Sequence, residues 1–180
     1  MARSATALRG QILESALDLF ALHGFRGASL QDIATDAGCS KASLLYHFAN
    51  KDAILTELLT PAGAGLAELN GQLAALDGEE AVTRAVHGYV DLALRFRREL
   101  RILLEDLPRM ASHPALGVGD LAEGLLTAMA GGSSDAEARV AAHMVLGGVF
   151  VTSAGDIDVP HEVLRDGMIR SALRTLGHDH

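Results

Sequence analysis

An all-α fold is what this 180-residue sequence predicts, and three observations lead to it. Apolar residues recur at helical spacing in segment after segment, with no convincing strand alternation and no internal repeat. The segments are punctuated by Gly, Ser, Asn and Pro clusters of the helix-stop and helix-start type. Apolar residues make up 49% of the chain, ample for a real core at this length.

The first helix runs from Gln11, where Ile12, Ala16, Leu19 and Phe20 share one face, to a stop at His23-Gly24, after which Phe25 folds back. Ser29 stands where an N-cap belongs, and Asp32 three residues on can return the hydrogen bond. Leu30, Ile33, Ala34 and Ala37 then give a short second helix that ends at Gly38, and Ser40 caps a third beginning at Lys41. That helix closes near Ala49-Asn50. Lys51-Asp52 open a fourth, with Ile54, Leu55, Leu58 and Leu59 as its stripe up to Pro61. Gly63 and Gly65 predict a kink or interruption before the Asp77-Gly78 turn. Further helices are expected over 79–96, 99–107, 116–130, 135–151 and 161–176, separated by turns such as 131–134 and 155–158.

Two helices joined by a tight turn containing Gly38 form a helix-turn-helix, whose second helix lies in the DNA major groove. Leu44 and Phe48 are i, i+4 partners facing the core, which turns Ala42, Ser43, Tyr46 and His47 outward. Ser43 can bond a base edge or phosphate, Ala42 can meet a thymine methyl, and Tyr46 and His47 can reach the backbone. Lys51 brings a point charge to a helix N-terminus, which suits a phosphate, and Ser29 and Arg26 can clamp the flanking strand. Tyr46 and Lys51 are both expected to be exposed.

The net charge of −8 argues against nucleic acid until its distribution is considered. Residues 1–52 balance five basic residues (Arg3, Arg9, Arg26, Lys41, Lys51) with five acidic ones (Glu14, Asp18, Asp32, Asp36, Asp52). The deficit therefore lies in 53–180. We take 1–52 as a helix-turn-helix DNA-binding domain and 53–180 as an all-α domain for ligand binding and dimerisation.

In the last helices, Leu164, Met168, Ala172 and Leu176 form a stripe, and Ala141, Val145 and Gly148 lie on a preceding helix that is apolar on most sides. A two-fold interface built by both helices from each of two copies is expected there. Dimerisation would hold two recognition helices roughly 34 Å apart, the spacing of a palindromic site. Candidate pocket residues for a small-molecule effector of unread identity are Tyr89, Phe96, Met110, Met144 and Phe150, with His87, His113 and His143 as polar anchors.

The single cysteine, Cys39, is read as a small buried apolar residue, and a reducing, cytoplasmic setting follows. No signal-peptide pattern is visible. The longest apolar stretch, 141–151, is about half a membrane span, so no membrane partner is expected. Neither a cofactor nor a metal is implied, and no nucleophile with its base appears, so an enzyme is not the reading.

The run from Ser29 to Lys51, SLQDIATDAGCSKASLLYHFANK, resembles the signature of the TetR regulators, and the likeness extends from about Arg9 to Leu59. It implies a three-helix DNA-binding head, an all-α body, a homodimer, and release from a double-stranded operator when a small molecule enters the body. The family's DNA-facing positions fall on Ser29, Lys41, Ala42, Ser43, Tyr46, His47 and Lys51. Leu45 departs from the family pattern, where an aromatic residue is usual, and Cys39 replaces a β-branched residue. A constitutive regulator without an effector is the alternative.

Overall fold

The computed structural model describes residues 5–105 and 118–178. Among the described residues there are nine helices and no strand: α1 (Ala5–Gly27), α2 (Leu30–Asp36), α3 (Lys41–His47), α4 (Lys51–Leu73), α5 (Gly78–Arg95), α6 (Arg97–Glu105), α7 (Val118–Met129), α8 (Ala136–Ala154) and α9 (His161–Thr175). The all-α prediction is met.

The described residues form two compact units, one of 5–61 with 101–105 and one of 62–100 with 118–178. In the first, α1 breaks at Gly24 (φ 70°, ψ 161°), where the sequence placed its stop. Phe25 then returns against Phe20, with ring centroids 5.1 Å apart. The core gathers Ile12, Ala16 and Phe20 of α1, Ile33 and Ala34 of α2, Leu44 of α3 with Phe48, and Ile54, Leu55 and Leu59 of α4. Ile102 of α6 joins them, fully buried, and Cys39 packs half-buried at the edge rather than inside.

The expected interruption of α4 does not occur. The helix continues through Pro61, whose missing N–H and steric clash tax a helix interior. Burial on both sides of the proline offsets that penalty: Ile54, Leu55 and Leu59 in the first core, Leu69 and Leu73 in the second. Gly65 and Gly88 have a packing role. A Cβ on Gly88 would come within 2.5 Å of Leu69 Cδ1, and one on Gly65 within 2.6 Å of Leu92 Cδ1. Each helix thus lodges a leucine over the other's glycine, and the close approach of α4 and α5 needs both.

In the second unit α5 lies against α7, α8 and α9. Its residues Ala81, Val82, Ala85, Val86, Tyr89, Val90, Ala93 and Leu94 are buried at helical spacing. Leu164, Met168, Ile169 and Ala172 of α9 complete this core. Arg165 donates through Nε and Nη2 to the Asp91 carboxylate at 2.5 and 3.0 Å, tying α9 to α5.

Candidate functional site

The helix-turn-helix is built from local rules that reinforce one another. Ser29 Oγ accepts from Asp32 N–H at 3.2 Å while Ser29 N–H donates to Asp32 Oδ2 at 3.0 Å, a reciprocal capping box at the start of α2. At its other end Gly38 takes φ 65°, a left-handed conformation costly for any residue with a Cβ. That twist lets Cys39 N–H reach Ala34 O at 2.9 Å and Gly38 N–H reach Thr35 O at 3.1 Å, satisfying two carbonyls the helix leaves open. Ser40 Oγ then accepts from Ser43 N–H at 3.1 Å and starts α3.

On α3, Leu44 is buried with Phe48 just beyond it, and the other side faces solvent. Tyr46 is 84% exposed, Lys41 and Ala42 are exposed, and Ser43 and His47 are half-buried. The Tyr46 and His47 rings meet edge to face, with centroids 5.3 Å apart. Leu45 is exposed beside them. Arg26 and Ser29 are exposed near the end of α1 and the start of α2, but the Ser29 hydroxyl already donates to Asp32 Oδ2 at 2.7 Å.

Lys51 corrects an expectation: it is half-buried, not exposed. Its ammonium donates to Phe25 O at 2.5 Å and Ala28 O at 2.7 Å and lies 4.6 Å from the centroid of the Phe25 ring. Carbonyls at a helix C-terminus carry partial negative charge and lack intrahelical partners, so they draw a nearby cation. Sequence spacing could not anticipate this, because the carbonyls belong to a turn 23 and 26 residues away.

Arg9, which the sequence shows only as a charge, joins three elements of the head. Its guanidinium pairs with Glu57 of α4, donates to His47 O at 3.0 Å, and lies 4.4 Å from the Phe48 ring centroid. No motif signals it. The only hint is its position one turn before Ile12, on the helix that carries the core stripe.

Residues 12–58 match the sequence model of the bacterial regulatory proteins of the tetR family. The likeness to the TetR family is shown for that segment. It is 44% identical over 57 residues to the HTH-type transcriptional regulator RutR of Escherichia coli K12, covering 32% of this chain and 27% of RutR. It is 41% identical over 59 residues to the HTH-type transcriptional repressor KstR2 of Mycobacterium tuberculosis, covering 33% of this chain and 30% of KstR2. Each sequence match therefore spans less than a third of the relative's length. The likeness of fold runs further. The structure of the ketosteroid transcriptional regulator KstR2 of Mycobacterium tuberculosis superposes with a TM-score of 0.76 at 20% identity, over 94% of this chain and 93% of that one. Mycobacterium smegmatis AmtR superposes with 0.72 at 25% identity, over 99% and 88%.

Beyond the matched segment the candidate pocket residues lie apart. Tyr89 is buried, its hydroxyl donating to Leu146 O at 3.2 Å, and burial pushes its ionisation upward. Half-buried His87 borders an open depression with Thr83, Arg84 and Asp91. His143 borders another with Ser133, Ser134 and Arg139, while Met144 is 65% exposed on a third surface. Phe96 is half-buried with the Arg95 guanidinium 5.2 Å from its ring centroid, and Phe150 is half-buried on α8. Met110 and His113 lie outside the described residues. Among the described residues no group of three or more His, Cys, Asp or Glu side chains could hold a metal, and no helix is long and apolar enough to cross a membrane.

Of the residues expected at a dimer face, Val145, Leu164, Met168 and Ala172 sit in this chain's own core, Ala141 and Leu176 are half-buried, and Gly148 is exposed. A stripe on two neighbouring helices cannot announce which of its members the helices bury against their own core. Of the expected residues only Gly148 is left open; it lines a groove of about 390 Å³ between α8 and α9 together with Met144, Val163 and Gly167.

Hydrogen bonds from the Ser29 hydroxyl and amide hold the Asp32 carboxyl below its ordinary value of 3.8. Because the folded value is the lower one, the capping box stabilises the head above pH 3.8 and loses that contribution as pH falls through the folded value. The melting-temperature deficit of Asp32→Ala against the parent is expected to be clear at neutral pH and to shrink at a pH of about 3. A deficit that stays constant on acidification would show that the box contributes no pH-dependent stability.

Proposed function

We propose that this chain is a homodimeric transcriptional repressor that lays α3 in the major groove of a palindromic operator. The observation that carries the reading is the outward face of α3, where Lys41, Ala42 and Tyr46 stand exposed on a helix fixed by Ser40, Leu44 and Phe48. Tyr46 and Lys41 suit phosphate, and Ala42 and Ser43 suit base edges. Ser29, Arg26 and His47 flank that face. Lys51 acts here mainly by holding the turn that presents Ser29, and touches phosphate only by exchanging a carbonyl for it. That relatives matched in this region are named as transcriptional regulators supports the same reading.

Dimerisation belongs to the α8–α9 groove. Met144, Val159 and Val163 are exposed apolar residues around the open backbone of Gly148 and Gly167. A contiguous apolar patch rimmed by Thr152, Ser171 and Thr175 fits a second copy of itself about a two-fold axis.

Release by a small-molecule effector extends the reading on the family resemblance. A second reading, a regulator without an effector, is favoured by the separation of His87, Tyr89, His143 and Met144. Operator release by some member of a small-molecule library in gel-shift competition supports the first reading. Persistent occupancy across a chemically broad library supports the second.

Operator binding is expected to be saturable and salt-sensitive, and Tyr46→Ala is expected to weaken it several-fold while leaving helical content intact. Unchanged affinity in a gel-shift titration would remove Tyr46 from the interface. Met144→Glu with Val163→Glu is expected to convert a dimer into a folded monomer in sedimentation experiments. A doubly substituted dimer would place the interface elsewhere.

A further inference from the structure

The Arg9 guanidinium has its bonding divided with unusual economy. Nε donates to Glu57 Oε1 at 2.9 Å and Nη2 to Glu57 Oε2, a bidentate pairing that fixes the plane of the fork. In that plane Nη1 donates to His47 O, 3.0 Å away, while the guanidinium carbon lies 4.4 Å from the Phe48 ring centroid. His47 is the last residue of α3 and Phe48 its C-cap. One side chain from α1, oriented by one carboxylate from α4, therefore meets the C-terminal end of the helix that carries Tyr46.

Stability does not account for the arrangement. The Arg9 and Glu57 side chains are 39% and 33% exposed, and an ion pair so open to water is heavily screened. Orientation accounts for it better. A seven-residue helix anchored by Leu44 and Phe48 can still tilt about those two contacts, and a bond to its terminal carbonyl from outside the helix removes that freedom.

We propose that Arg9 and Glu57 are positioning residues for operator reading: Glu57 aims Arg9, and Arg9 holds the C-terminus of α3 in the pose that presents Lys41, Ala42 and Tyr46 to the groove. The proposal rests on the reading of α3 as the DNA-reading helix. It assigns neither residue a contact with DNA. Lysine at position 9 keeps the charge and the stacking, but as a point donor it lacks the fork that serves Glu57 and His47 together.

The test compares the full-length protein, Arg9→Lys, Glu57→Gln and the swapped pair Arg9→Glu with Glu57→Arg. Affinity is measured for an operator selected from random DNA and for a scrambled duplex, with thermal melts alongside. Arg9→Lys and Glu57→Gln are expected to stay folded and to lose about tenfold in operator affinity, with little change on the scrambled duplex. The swapped pair restores the ion pair but puts a carboxylate beside the His47 carbonyl. Its melting temperature is expected to stay near the parent's while operator affinity stays low.

Parent-like operator affinity in Arg9→Lys and Glu57→Gln, or parent-like affinity in the swapped pair, would overturn the proposal and leave a plain structural ion pair. Failure of the underlying reading looks different: the unsubstituted protein would select no sequence at all, and Tyr46→Ala would change nothing.

Discussion

A helix of seven residues cannot hold itself together in water, and α3 is that short. Its outward face is useful only if everything around it supplies the order that its own hydrogen bonds do not. The Ser40 cap closes one end, Leu44 and Phe48 seat it in the core, and Arg9 holds the carbonyl at the other end. Each support comes from a different part of the chain. The core that seats it draws on α1, α2, α4 and Ile102 of α6, so the exposed face depends on residues spread from Ile12 to Ile102.

Two cations of this head serve the backbone. Arg9 and Lys51 both bind carbonyls at the ends of helices or turns, and both lie near an aromatic ring. The chain has only two lysines, and one of them is used in this way. The stretch 1–52 carries no net excess of positive charge, so on the proposed reading attraction for a polyanion comes from placement: Lys41 and the phenol of Tyr46 on one exposed face.

Small residues carry the second unit. Gly65 and Gly88 let α4 and α5 exchange leucines at close range, and the open backbone at Gly148 and Gly167 shapes the groove between α8 and α9. Leucine and methionine on α9 fill the chain's own core, which leaves valine, methionine and glycine to form the outer apolar surface. The same two helices thus divide their apolar residues between an inner and an outer task.

By itself the sequence determined what short-range physics controls. The caps at Ser29 and Ser40, the left-handed turn at Gly38, the inward Leu44–Phe48 pair and the outward Tyr46 follow from spacings of four residues or fewer, and all are present in the fold. Tertiary structure decided what depends on distant partners. It carried α4 unbroken through Pro61 because burial on both sides outweighs one lost hydrogen bond. It drew Lys51 onto carbonyls of a turn more than twenty residues away, joined Arg9 to Glu57 across 48 positions, and placed Leu164 and Met168 inside rather than at a surface. Helical periodicity encodes which face of a helix is apolar; which neighbour covers that face is settled only when the helices pack.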